Sequence, residues 1–103
     1  MWKQVAKSDQ LEPGQPLAVE VEGQLILIVK TGQGLFAMED SCPHQKQPLS
    51  TGKAKADKLT CRHHGIEIDM NSGKVTWAMG FLGLDDVKTF PIKQESEAIW
   101  IEV

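Results

Sequence analysis

Two short segments, Cys42-Pro43-His44 and Cys61-Arg62-His63-His64, each place a thiol beside an imidazole, and sixteen residues separate His44 from Cys61. For both pairs to serve one centre, they must sit on two loops that face each other, which restricts the folds open to the chain. Two sulfurs and two nitrogens suit zinc or an iron–sulfur centre. Zinc fingers group their cysteines in one pair and their histidines in another, whereas here the two types alternate. Alternation suits a two-iron cluster in which one iron takes a cysteine from each loop and the other a histidine from each loop. Pro43 fixes φ between the first two donors, Pro48 stiffens the first loop, and Gly65 allows a tight turn or close approach after the second. Cys61-Arg62-His63 repeats the spacing of Cys42-Pro43-His44, so His63 competes with His64 as the fourth donor. A structural zinc site, or two core cysteines with unrelated histidines, are the competing explanations.

The rest of the sequence reads as short strands between turns. Leu17–Val21 and the apolar run Leu25–Val29 flank Glu22-Gly23 and predict a hairpin. Thr31–Gly34 predicts a second turn, and Leu35–Met38 a third strand leading to Cys42. Leu59–Cys61 and Ile66–Met70 have strand character on either side of the second loop. Thr89–Ile92 and Ala98–Val103 alternate as a closing hairpin across Glu95–Glu97. Ser8–Gly14 predicts a turn or a single helical turn capped by Ser8 or Asp9 and ended by Pro13-Gly14. Trp77, Met79 and Phe81 alternate as in a strand, which favours core packing for them over a contact surface. No segment sustains a helical period, so the predicted class is mainly antiparallel β.

A chain of 103 residues can bury one modest core, and a single domain over 1–103 is expected. With 41% hydrophobic and 24% charged residues, neither disorder nor a membrane protein is indicated. The longest apolar run is far short of the roughly 20 residues that span a bilayer, and the N-terminus lacks the features of a secretory signal. A cytoplasmic protein is the simplest expectation, and in a reducing compartment the two cysteines are expected as ligands or buried thiols rather than a disulfide. A net charge of −3 with no long basic block argues against nucleic acid. The charge is uneven, however. Five basic residues against Asp57 give the segment from Cys42 to His64 a net +4, and the remainder carries −7. This could steer an acidic partner, although Lys53, Lys55 and Lys58 would equally keep a loop or edge strand solvated.

The motif resembles that of the Rieske-type ferredoxins, whose C-x-H…C-x₂-H pattern matches Cys42, His44, Cys61 and His64. Pro48-Leu49-Ser50-Thr51-Gly52 is similar to the family's continuation of the first loop, and His64-Gly65 with Asp69 and Ser72-Gly73 to that of the second. The resemblance implies a small β-sandwich-like base with the cluster loops as an inserted subdomain over approximately 40–80. It also implies one Rieske-type [2Fe-2S] cluster held by Cys42, His44, Cys61 and His64, with His64 preferred over His63 because Gly65 follows it. His63 departs from the Trp frequent at its position. The absence of proline between Pro48 and Pro91 departs from the family's third loop.

In the high-potential respiratory members, a serine and a tyrosine stand where this sequence has Ile66 and Ile68, and an extra cysteine pair bridges the loops. Neither feature is present here, so the resemblance implies a low potential, about −150 mV at the bottom of the Rieske range. It further implies a monomeric electron carrier, not itself an enzyme, in a bacterial multicomponent oxygenase system. Its expected partners are a flavin-dependent ferredoxin reductase and a terminal oxygenase. The terminal oxygenase itself is set aside because it needs a large catalytic domain. A small Rieske-like subunit of a nitrite reductase-type complex and a zinc-stabilised interaction module are the alternatives.

Overall fold

A computed structural model describes residues 1–43, 47–62, 65–77, 84 and 86–103. The strands are β1 (Trp2–Lys7), β2 (Leu17–Val21), β3 (Gln24–Thr31), β4 (Gly34–Glu39), β5 (Lys53–Lys55), β6 (Lys58–Thr60), β7 (Glu67–Asp69), β8 (Val75–Trp77), β9 (Ile92–Glu95) and β10 (Ala98–Glu102). They form three sheets, ordered β1-β10-β9, β2-β3-β4 and β5-β6-β7-β8. Every strand pairing among the described residues is antiparallel, and no α-helix occurs there. The mainly antiparallel β class expected from the sequence is therefore the one found.

The predicted hairpin from Leu17 to Val29 forms as β2 and β3, with Val21 opposite Gln24. Its two-residue turn is Glu22-Gly23, both at positive φ (53° and 80°), the twist that suits a tight hairpin. β4 pairs back on β3 from Thr31↔Gly34 to Ile26↔Glu39. Ile26, Leu27, Ile28 and Val29 are each fully buried, although successive strand residues point to opposite faces. Both faces of β3 are thus covered. Ile26 and Ile28 pack with Ala37, Phe90, Ile99 and Ile101, and Leu27 and Val29 with Met38, Leu49, Leu59, Ile68 and both cysteines. One strand is the partition between two apolar cores, which is why its sequence is a continuous apolar run instead of an alternating one.

Three expectations are corrected by the structure. The turn after β1 is a 3₁₀ turn over Ser8–Gln10 whose N-cap position is Lys7, not Ser8 or Asp9. The Lys7 N–H donates to Gln10 Oε1 at 2.8 Å, so the side chain closing the turn lies at its end. Pro13-Gly14 belongs to a separate turn in which the Gln15 N–H donates to the Glu12 carbonyl. The segment Thr89–Ile92 does not enter the closing hairpin as a unit. Phe90 donates to the Ala37 carbonyl of β4, and only from Pro91, whose carbonyl accepts from the Glu102 N–H, does the chain join β10. Pro91, with no N–H to give, stands at the change of partner.

In the third sheet, Ala54, Leu59 and Ile68 face the core, whereas Lys53, Thr60, Glu67 and Trp77 lie opposite one another along the outer face. The Lys53–Lys55 segment, expected as a loop or edge strand, is the edge strand β5. Asp69 closes the turn after β7 by accepting from the Asn71 N–H at 2.8 Å, which holds its carboxyl below the usual range.

The partition predicts a sharp asymmetry between neighbours on β3. Leu27→Ala should lower unfolding free energy by about 2–5 kcal/mol, as for large-to-small changes in a packed core. Leu25→Ala, at a site 55% exposed, should change it by less than about 0.5 kcal/mol. Urea denaturation of both variants checks this.

Candidate metal centre

Cys42 and Cys61 lie in different segments of the chain yet share one core, exposed by 0% and 1%. Both are thiols outside any disulfide. The chain makes the same local construction at each. The Cys42 N–H donates to the Gln47 carbonyl at 2.7 Å, and the Cys61 N–H donates to the Ile66 carbonyl at 2.7 Å. Each cysteine therefore stands at the base of a loop closed by a backbone bond to the residue five positions on. His44 falls within the first loop by sequence, and His63 and His64 within the second, but all three lie outside the described residues. So do Lys46, Met79 and Phe81.

The surroundings of the two cysteines are apolar: Met38, Leu49, Leu59, Ile66, Ile68, Met70 and Val87 complete their cluster. Ile66 and Ile68 are both fully buried there, and their hydrocarbon side chains have no hydrogen-bonding group. A groove opens beside Cys61, lined also by Thr51, Gly52, Lys53, Thr60, Arg62 and Gly65. Gly65 takes φ +65°, and a Cβ at this position would lie 3.7 Å from the Trp77 ring. Trp77 itself is 51% exposed, which corrects the expectation that it packs in the core. Its outer-face register on the edge strand β8, opposite Glu67, keeps it at the surface beside the second loop.

Gly52 seats the two halves against each other. A Cβ there would come within 2.1 Å of the Thr60 carbonyl oxygen, one residue before Cys61. No side chain fits, so only glycine lets the end of the first loop lie directly on β6. Gly52 lies in the stretch similar to the family's first loop, but nothing in its local sequence signals this contact. Neither pattern nor spacing singles out Asp40, which is buried (7% exposed) and whose carboxylate accepts from the Ser50 N–H at 2.7 Å and the Ser50 hydroxyl at 2.8 Å. One acidic residue before a cysteine is no signal by itself.

A family model of the Rieske [2Fe-2S] domain matches residues 1–91. The chain belongs to this family. The residues fit its prosthetic group: two buried soft donors, in no disulfide, stand at the bases of matched loops within one apolar shell. The cofactor is one Rieske-type [2Fe-2S] cluster, which supplies reversible one-electron exchange when bound.

The chain is 32% identical over 97% of its length to the 4β-methylsterol monooxygenase of Methylococcus capsulatus, but covers 29% of that protein. It is 27% identical to the ferredoxin component of biphenyl 2,3-dioxygenase of Rhodococcus jostii, covering 96% of this chain and 90% of that one. Thus it spans less than a third of the first curated relatives and nearly the whole of a ferredoxin component. Among solved structures, the ferredoxin of carbazole 1,9a-dioxygenase from Nocardioides aromaticivorans superposes with a TM-score of 0.85 at 25% identity, covering 98% of this chain and 96% of that one. Among the described residues no helix is long and apolar enough to cross a membrane.

Gly52→Ala should cost about 3 kcal/mol, at the upper end for forced overpacking, because the obstacle is backbone. Gly32→Ala, where a Cβ would meet nothing within 4 Å, should be close to neutral. Thermal unfolding of the two variants distinguishes them.

Proposed function

We propose that this chain is a low-potential Rieske ferredoxin carrying single electrons from a flavin-dependent reductase to a terminal oxygenase. In this reading Cys42, His44, Cys61 and His64 hold the cluster, within a cluster-binding subdomain of approximately 40–80 in a single domain of 1–103. The observation that carries it is the pair of buried cysteines at the bases of two identically closed loops. Near-complete mutual coverage with dioxygenase ferredoxins supports the carrier role over a catalytic one.

Arg62, Lys53 and Trp77, all exposed around the second loop, supply charge and an aromatic anchor of the kind that protein partners use. The apolar shell supports the low potential. Ile66 and Ile68 give no donor to charge arriving in the cluster, so the reduced state gains no side-chain hydrogen bond from them.

A second reading has one observation in its favour: identity to the 4β-methylsterol monooxygenase is slightly higher than to the ferredoxin component. There the chain would be the electron-entry domain of an oxygenase. Mixing the purified chain with a flavoprotein reductase and a separate Rieske oxygenase decides between them. Reductant-dependent product formation that requires the chain is expected, and an oxygenase turning over equally well without it would sink the carrier role. In the same preparations His64→Ala should be colourless and His63→Ala should keep its visible absorption. A colourless wild type with bound zinc and no acid-labile sulfide would end the cluster reading.

Redox titration should give a midpoint near the bottom of the Rieske range, about −150 mV. Ile66→Ser should raise it by about 60 mV, the one-electron equivalent of a tenfold change in equilibrium constant.

A further inference from the structure

We propose that Asp40 is a positioning residue: its carboxylate latches the two ends of the first cysteine loop and so sets where Cys42 stands relative to Cys61. Asp40 directly follows β4, where its own N–H donates to the Leu25 carbonyl of β3 at 3.0 Å. It is therefore fixed to the central sheet. Its side chain then reaches across the loop to Ser50, ten residues on, and takes both Ser50 donors, one on each oxygen.

Ser50 in turn belongs to a short 3₁₀ turn, Leu49–Thr51, which is pinned by fully buried Leu49 and by the Gly52 N–H donating to the Leu49 carbonyl. Gly52 rests on the Thr60 carbonyl, next to Cys61. A path of a few chain bonds and two close contacts, Asp40 on Ser50 and Gly52 on Thr60, thus links Cys42 to Cys61. Asp40 is the one buried charged side chain among the described residues, and no cation there lies within ion-pair distance of it. Burying a carboxylate costs least where its acceptor capacity is used. Here two oxygens accept two donors from one residue, an arrangement that an apolar side chain cannot reproduce.

The latch rests on the assignment of Cys42 and Cys61 as cluster ligands only for its consequence, not for its existence. Its test therefore has one readout independent of the cluster. By amide hydrogen exchange of the full chain, Asp40→Ala should accelerate exchange at the Ser50 N–H at least tenfold, and Asp40→Asn, which retains an acceptor and a donor toward Ser50, by less than about threefold. In iron-loaded protein, Asp40→Ala should bleach in EDTA about tenfold faster than wild type and show altered EPR g-values. Asp40→Asn should remain within about twofold in bleaching, with wild-type g-values. Ser50→Ala, which keeps the backbone bond and loses the hydroxyl, should fall between them and serves if Asp40→Ala does not fold.

Bleaching and g-values unchanged in Asp40→Ala, or in Ser50→Ala where that variant stands in, would overturn the proposal. So would Asp40→Asn behaving like Asp40→Ala, since the charge rather than the latch would then matter. If wild type holds no cluster, the function proposed above fails, while the exchange result still decides whether the latch exists.

Discussion

Burial of β3 on both faces is the constraint on which the remaining structure depends. Four consecutive residues, Ile26 to Val29, are fully buried with alternate side chains entering separate cores. A strand with one wet face would leave either the β1-β10-β9 side or the cysteine side without a wall. Each apolar side chain moved out of water contributes on the order of 1.5–3 kcal/mol, so this single strand ties the two halves of the molecule into one folding unit. β4 follows the same division, with Phe36 and Met38 on the cysteine side and Ala37 on the other.

From that partition the metal-binding half is built outward by close backbone contacts as well as by side-chain packing. The loops of Cys42 and Cys61 are closed by equivalent N–H to carbonyl bonds, and their mutual position is fixed where Gly52 meets Thr60 and where Asp40 holds Ser50. Such contacts tolerate little displacement, because two carbonyl-sized groups cannot share a volume and a hydrogen bond of 2.7 Å weakens quickly when stretched. A prosthetic group with fixed bond lengths calls for ligands held in this manner. Ile66 and Ile68 are buried while Arg62 and Trp77 are exposed, so a dry interior and a charged, partly aromatic surface both adjoin the second loop.

Much of this was legible in the chain. The hairpin around Glu22-Gly23 follows from a turn dipeptide between two apolar runs, and the alternating thiol and imidazole spacing points to an iron–sulfur site before any coordinates. Local patterns fail where the outcome depends on a distant partner. Trp77 alternates with other apolar residues yet lies at the surface, because β8 is an edge strand whose outer register faces solvent. Thr89 to Ile92 reads as one strand, but its first half pairs with β4 and its second with β10.

Sequence alone determined the strand-rich class, the apolar run of β3, and the candidate donors Cys42, His44, Cys61 and one of His63 and His64, since these depend on residue type and short-range spacing. Only the tertiary structure decided that β3 divides two cores, that Gly52 must carry no side chain, and that Asp40 closes the loop of the first cysteine. Each of these joins residues brought together by folding, and neither burial nor a hydrogen-bond partner is encoded in the identity of one residue.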